Sequence, residues 1–260
     1  MREKITSTQN ARVKRWQHLT TKKGHQKYQA YLIEGWHTVG DAIQAGRPLT
    51  AIIGTDEQLT NHGAVLPGSV DQFEVSDDIV KKLSDTVTPQ GIFAVVTISE
   101  TATVTPEKAT GGWLLLDHVA DPGNIGTMVR TADAAGFSGV VFGHGTSSQY
   151  NPKVIRAMQG SQFHISLVAG DLGDWIARFK ERELAVYGSA LNPAAKDYRT
   201  VSPTTTFAII MGNEGQGMTA DLLAETTANL YIPIKGQAES LNVGVAAGVL
   251  MFQLNSYLLD

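Results

Sequence analysis

The sequence predicts an α/β protein in two parts, a small α/β unit followed by a domain built on a parallel sheet with helices on both faces. Three observations lead there. From residue 113 onward, short apolar runs alternate with segments of helical periodicity, the pattern of strand–helix–strand crossovers. The stretch from Ser99 to Gly112 is rich in Thr, Pro and Gly and has no apolar periodicity, which marks a linker. The chain of 260 residues is long enough to bury the core of one large domain or two modest ones. The predicted division is therefore 1–98, a linker over 99–112, and 113–260.

In the first part, Val13, Trp16 and Leu19 recur at helical spacing and turn inward. Residues 31–34 read as a strand, 36–45 as a helix and 49–53 as a strand. Residues 75–83 form a mixed segment with a helix from Asp77, and 91–98 another strand. After the linker, the apolar run from Trp113 to Leu116 predicts a buried strand over 113–117. Pro122 and Gly123 force a turn, and Asn124 is a suitable N-cap. Ile125, Met128, Val129 and Ala132 then recur at helical spacing until Gly136, which predicts a helix over 125–135. The alternation continues with strand 139–143, helix 152–159, strand 164–168, helix 171–181, strands 184–189 and 207–211, helix 219–225, strand 229–232 and helix 241–258. The last helix is apolar on every side, which predicts burial.

Composition narrows the function. There is no cysteine, so disulfides and thiolate metal sites are excluded, and no metal is expected. The N-terminal residues lack the apolar core of a signal peptide, and no stretch is long and apolar enough to span a bilayer, so a cytoplasmic location is expected. The formal charge of −4 argues against a globally basic protein, yet Arg2, Lys4, Arg12, Lys14, Arg15, Lys22, Lys23 and Lys27 are opposed locally only by Glu3. With Trp16, His18 and Tyr28 interleaved, this patch is either an RNA-binding surface or a solvated helix face.

Three polar, glycine-containing segments follow strands in the second part. The first, from Asp117 to Arg130, contains Asn124, and Arg130 lies six residues further on, about 9 Å along a helix axis. The second, Met211-Gly212-Asn213-Glu214-Gly215-Gln216-Gly217-Met218, lets the backbone bend sharply and approach a ligand closely. It lacks the lysine of a Walker-type phosphate cradle. The third, Ile232-Pro233-Ile234 followed by Glu239-Ser240-Leu241-Asn242, opens the apolar C-terminal helix with polar side chains. Gly143-His144-Gly145 also follows a strand, but a serine replaces the third glycine of a dinucleotide fingerprint.

In order, these segments resemble the three motifs of the SpoU/TrmH family, RNA ribose 2′-O-methyltransferases of the SPOUT class. The segment from Asn151 to Ser161 is similar to one that such proteins carry between the first two motifs. Gly244, Gln162 and His164 depart from the usual residues. Around Ile33-Glu34-Gly35, the first part resembles the ribosomal-protein L30e-like substrate-binding domain of some members. The resemblance implies a SPOUT-type parallel sheet with a C-terminal trefoil knot, S-adenosylmethionine as methyl donor and RNA as acceptor, with 23S-type ribosomal RNA preferred. It also implies a homodimer, with Arg130 acting at the partner's cofactor. The small residues Gly244, Ala246, Ala247 and Gly248 suggest the last helix as the subunit contact.

The expected catalytic set is Arg130, Asn124, Glu214, Ser240 and Asn242. Arg130 fixes a phosphate and stabilises developing oxyanion charge, because a guanidinium is hardly ever neutral. Asn124, Ser240 and Asn242 orient the ribose, and Glu214 positions Arg130 or Asn242. The resemblance also makes Arg130 the candidate for taking the hydroxyl proton, which a guanidinium does poorly, and His118 is a second candidate for this base. The cofactor is expected at Gly212, Ile232, Leu241 and Leu191, and RNA at Arg12, Lys14, Arg15, Lys22, Lys23 and Arg156. The same chemistry on transfer RNA, and a catalytically silent RNA-binding protein of this fold, are the alternatives.

Overall fold

A computed structural model of the chain describes residues 2–98 and 104–255. Part of the expected linker, 99–103, and the last residues of the expected final helix lie outside the described residues. The contacts divide the chain into two compact units, Met1–Ala102 with Tyr150–Phe163, and Thr103–Gln149 with His164–Asp260.

The first unit contains β1 (Glu3–Ile5), α1 (Ala11–His18), α2 (Lys22–Tyr28), β2 (Ala30–Glu34), α3 (Trp36–Gln44), β3 (Leu49–Gly54), α4 (Asp56–Asn61), β4 (Asp71–Val75), α5 (Asp77–Leu83) and β5 (Ile92–Thr97). Its sheet runs β1-β4-β3-β5-β2, parallel from β1 through β3 and antiparallel at β5 and β2. Val13, Trp16 and Leu19 are buried, as their spacing predicts, in a core with Ile53, Phe73 and Phe93. Asn10 caps α1 through Arg12 N, and Thr21 caps α2 through Gly24 N. Strands β1 and β4 and helix α4 have no counterpart among the elements expected from the sequence. The only apolar residues of β4 are Phe73 and Val75, and β1 has only Ile5, too few to show a period of two.

Residues 150–163, read from sequence as part of the second domain, group with the first unit. There α7 (Pro152–Met158) packs on β2, and the Tyr31 and Tyr150 rings lie 5.0 Å apart. A short 3-10 turn, 161–163, follows.

The second unit contains β6 (Gly112–Leu116), α6 (Pro122–Ala134), β7 (Gly139–Phe142), β8 (Ser166–Ala169), α8 (Leu172–Glu181), β9 (Ala185–Ser189), β10 (Lys196–Asp197), β11 (Phe207–Met211), α9 (Ala220–Glu225), β12 (Ala228–Tyr231) and α10 (Val243–Leu254). Its seven strands are ordered β10-β12-β9-β11-β6-β7-β8 and every pairing is parallel. All residues of β6, β7 and β11 are buried, as expected of central parallel strands covered on both faces. Strand β8 starts at Ser166 rather than 164, because Phe163 is still in the 3-10 turn.

Three expectations about helices are corrected. Helix α6 starts at Pro122, because the Asp121 carboxylate accepts Asn124 N–H at 2.8 Å and takes the capping role given to Asn124. Helix α10 starts at Val243 rather than 241, because Asn242 is its cap, the side chain accepting from Gly244 N at 2.9 Å and Val245 N at 3.3 Å. Nor is α10 buried all round: Val245 is 53% and Phe252 56% exposed. Gly244 and Gly248 face α6 inside the chain. A Cβ at Gly244 would stand 3.2 Å from Thr127, and one at Gly248 3.4 Å from Thr131, so these glycines admit α6.

Candidate active site

The candidate site lies in the second unit where strands end, the usual ligand position of an open parallel sheet. The loops after β9, β11 and β12 and the first turn of α10 enclose a cavity of about 430 Å³. Its wall includes all four residues expected at the cofactor, Gly212, Ile232, Leu241 and Leu191, together with Glu214 and Ser240.

The loop after β11 is the most constrained part. Asn213 and Gly217 exchange main-chain hydrogen bonds at 2.9 Å, closing a tight turn. Inside it, the Asn213 side-chain oxygen accepts from Gly215 N at 2.9 Å and Gln216 N at 3.1 Å. This is the local hydrogen bonding that makes asparagine a turn residue. The Asn213 amide also donates to His118 O at 2.9 Å, tying this loop to the one after β6. A Cβ at Gly212 would lie 2.2 Å from Gly217 C and Met218 N, so only glycine permits the return of the chain there. Asn213 is not among the expected site residues; an asparagine directly after Gly212 in a glycine-rich loop is the signal that marks it.

Three of the expected catalytic residues form a chain. The Glu214 carboxylate accepts from the Asn124 side chain at 3.1 Å and from Asp121 N at 3.2 Å. Asn242 donates its amide to Asn124 Oδ1 at 2.9 Å, while its own oxygen caps α10. These directions fix both amide orientations, because Glu214 only accepts. Burial pushes the Glu214 carboxyl up. The hydrogen bonds from Asn124 and from main-chain N–H groups outweigh it and hold the group below the usual carboxylate range. Glu214 therefore positions Asn124 directly, and Asn242 through it.

Arg130 does not join this chain. It is exposed on α6 and makes no hydrogen bond or ion pair with the described residues. Six residues at 100° each carry it well around the helix from Asn124, so axial reach did not bring it to the helix mouth. Ser240 is at the cavity wall but exposed.

His118 also stands apart. Its Nδ1 is 2.6 Å from Asp117 Oδ1, and the buried Asp117 accepts Thr219 N–H at 2.7 Å through its other oxygen. A Cβ on Gly145 would lie 2.2 Å from His118 Cδ2, and His144 is 5.7 Å away between ring centroids. The ring thus packs on the loop after β7, and His118 is not among the residues lining the cavity. Asp117 anchors this arrangement and was missed, because a carboxylate ending a strand reads as solvent-facing.

The expected RNA-binding residues lie in the first unit and are not equivalent. Lys14, Lys22 and Lys23 are exposed and make no hydrogen bond or ion pair among the described residues. Arg15 is exposed and lies over the Tyr28 ring at 4.9 Å. Arg12 is engaged by Glu3 and lies over Phe73 at 4.9 Å. Arg156, on α7, is half-buried beside a narrow cleft shared with Glu34 and Asp85. Among the described residues, no three His, Asp or Glu side chains gather as a metal site, and no helix is long and apolar enough to cross a membrane.

A parallel sheet with a glycine-bent cavity at its strand ends defines an α/β protein that holds a small molecule against polar groups. Residues 113–252 match the SpoU rRNA Methylase family, and residues 10–94 match the MRM3-like substrate binding domain. The chain is 42% identical over 252 residues to the 23S rRNA (guanosine(2553)-2′-O)-methyltransferase RlmP of Bacillus subtilis, covering 97% of this chain and 99% of that protein. It is 30% identical to an uncharacterized tRNA/rRNA methyltransferase of Synechocystis, over 96% of this chain and 92% of that one. The crystal structure of an AdoMet-bound rRNA methyltransferase from Sinorhizobium meliloti superposes with a TM-score of 0.88 at 28% identity, over 99% of both chains. The chain belongs to the SpoU rRNA methylase family.

Proposed function

We propose that this protein transfers the methyl group of S-adenosylmethionine to a ribose 2′-hydroxyl of RNA, with 23S-type ribosomal RNA as the substrate. The observation that carries the reading is the Glu214–Asn124–Asn242 chain at the edge of a cavity walled by Gly212, Ile232, Leu241 and Leu191. The cavity fits the donor: its volume is within the range of small-molecule sites, and Gly212, whose lack of a Cβ lets the 212–218 loop close on itself, puts main chain on the wall. The B. subtilis and S. meliloti proteins support the substrate and the donor respectively.

When bound, S-adenosylmethionine supplies an electrophilic methyl group on a sulfonium. A poorly hydrated slot suits a reaction in which positive charge is lost, and Leu191, Ile232 and Leu241 supply the apolar part of a wall that also carries Asn213, Glu214 and Ser240. Asn124, Ser240 and Asn242 orient the ribose. Glu214 holds Asn124 with its amide in one sense, and Arg130 fixes the adjacent phosphate and stabilises charge developing on the attacking oxygen. The exposed lysines of α1 and α2 hold RNA phosphates.

The finer features of the reading are a C-terminal trefoil knot, an L30e-like RNA-binding part over 1–98, a linker over 99–112, a catalytic part over 113–260, and a cytoplasmic homodimer. Support for the dimer is the outer face of α10. With its glycines turned to α6, Val245 and Phe252 are left exposed at positions i and i+7. In the dimer, Arg130 acts at the partner's cofactor. The alternatives remain transfer RNA as acceptor and an RNA-binding protein without activity.

The test is incubation with labelled S-adenosylmethionine and total RNA from a strain lacking the gene, followed by mapping of 2′-O-methylation. Label in 23S RNA is expected, and label confined to transfer RNA would move the substrate assignment. Cofactor binding with no label in any RNA would replace the enzyme with the silent binder. Phe252→Glu is expected to sediment as a monomer, and a monomeric, fully active unsubstituted protein would refute the dimer.

A further inference from the structure

Arg130 is on the same helix as Asp133, and a residue pair three apart on a helix is close enough for an ion pair. The pair is not made. Asp133 Oδ2 is instead 2.8 Å from Nδ1 of His164, whose residue lies just before β8. The Asp133 side chain is 25% exposed, so this contact is partly sheltered, while the arginine one turn earlier is exposed and has no partner among the described residues.

We infer that His164 is a positioning residue for the methyl transfer: by engaging Asp133 it keeps that carboxylate from capturing Arg130, whose guanidinium stays available to the RNA. The inference rests on the reading of Arg130 given above. Its physical basis is competition for one acceptor. An arginine folded down onto Asp133 would first have to break that pair before reaching a phosphate, and part of the attraction between cation and RNA would be cancelled. A histidine is well suited to block this, because its Nδ1–H donates to the carboxylate without needing a positive charge. Asp133 and His164 do not line the cavity, so the effect falls on the step Arg130 serves and not on cofactor binding.

The experiment measures single-turnover methyl transfer to RNA at saturating S-adenosylmethionine, with cofactor affinity measured in parallel. His164→Ala is expected to slow transfer about two- to fivefold, the range for one exposed or half-exposed ion pair in competition. Cofactor affinity should not change. His164→Asn, whose side-chain N–H occupies nearly the place of Nδ1–H, is expected to retain the rate. Adding Asp133→Asn to His164→Ala is expected to restore it, because the competing charge is gone. A merely structural His164–Asp133 contact predicts the opposite, since removing the second partner cannot rebuild the first. A slow His164→Ala that Asp133→Asn does not rescue overturns the inference, as does an unchanged His164→Ala beside an inactive Arg130→Ala. Full activity of Arg130→Ala refutes the assigned role of Arg130 itself, and the inference with it.

Discussion

The cavity in the second unit and the cationic face of α1 and α2 meet opposite physical demands. At the edge of the cavity a connected set of polar side chains is held: Asn213 inside its turn and to His118, Glu214 to Asn124, and Asn124 to Asn242. On α1 and α2, Lys14, Lys22 and Lys23 have no hydrogen bond or ion pair among the described residues. Chemistry on one atom needs groups fixed within fractions of an ångström, and hydrogen-bonded neutral amides beside one carboxylate provide that. Attraction of a phosphate backbone needs charge that is free to move, and a lysine bound to a protein carboxylate is already spent. Substitutions should therefore act steeply and specifically in the first region, and gently and salt-dependently in the second.

The strongest break of this contrast is expected at Gly212. Gly212→Ala places a methyl on the main chain at 217–218, so the loop must open. Binding of S-adenosylmethionine, followed by calorimetry, should weaken by more than about 100-fold, the cost of several misplaced contacts at once. The thermal midpoint should change little, because the sheet is untouched.

Next is Glu214→Ala, which frees Asn124 and Asp121 N and is expected to reduce methyl transfer about 10- to 100-fold, as for loss of charge-assisted hydrogen bonds. Glu214→Gln, which keeps one accepting oxygen, should lose less. The carboxylate also sets a pH dependence. Because its value in the folded protein lies below the usual range, its contribution to loop order is complete above the ordinary glutamate value of about 4.3 and is lost as pH falls through the lower, folded value. Cofactor binding should weaken over that acid interval, and Glu214→Gln should flatten the decline. A decline of equal size in Glu214→Gln would assign it elsewhere.

The second region sharpens the comparison at smaller amplitude. Replacing Lys14, Lys22 and Lys23 together by Gln should raise the dissociation constant for RNA about tenfold at low salt. It should also reduce the slope of log affinity against log salt by about two to three. The single-turnover rate at saturating RNA should stay the same. The smallest effect is expected for Arg12→Gln, whose guanidinium is already shared with Glu3 and Phe73. If Arg12→Gln weakens RNA binding as much as Lys14→Gln, pre-existing pairing is not what distinguishes the cations of this face.

What the sequence disclosed follows the same division. Strands β6, β7 and β11 are unbroken apolar runs because both of their faces are covered, and such runs can be read directly. Strands β1, β4 and β10 carry too few apolar residues to show a period. At the site, glycine spacing pointed to the sharp bend at 212–217 and the polar helix mouth to Ser240, both local properties, while Ile232, Leu241 and Leu191 on the cavity wall followed from the family resemblance. Who bonds whom was not local. Glu214 reaches Asn124 ninety positions earlier, and Asp121 competes with Asn124 for the helix cap. Axial distance suggested that Arg130 reaches its own helix mouth, and rotation around α6 turns it away; action at the partner's cofactor follows from the family resemblance. Apolarity on all sides of α10 predicted burial on all sides, whereas α6 occupies only the glycine face.

The excursion of residues 150–163 has a practical consequence for anyone wishing to redirect this protein to another RNA. The chain crosses between the units three times, so the first unit is not an N-terminal cassette that ends where β5 ends. Exchanging residues 1–98 with those of a relative would seat the native α7 on a foreign β2. A successful graft must carry two pieces of gene, the second cut from between β7 and β8, and joined at both its ends.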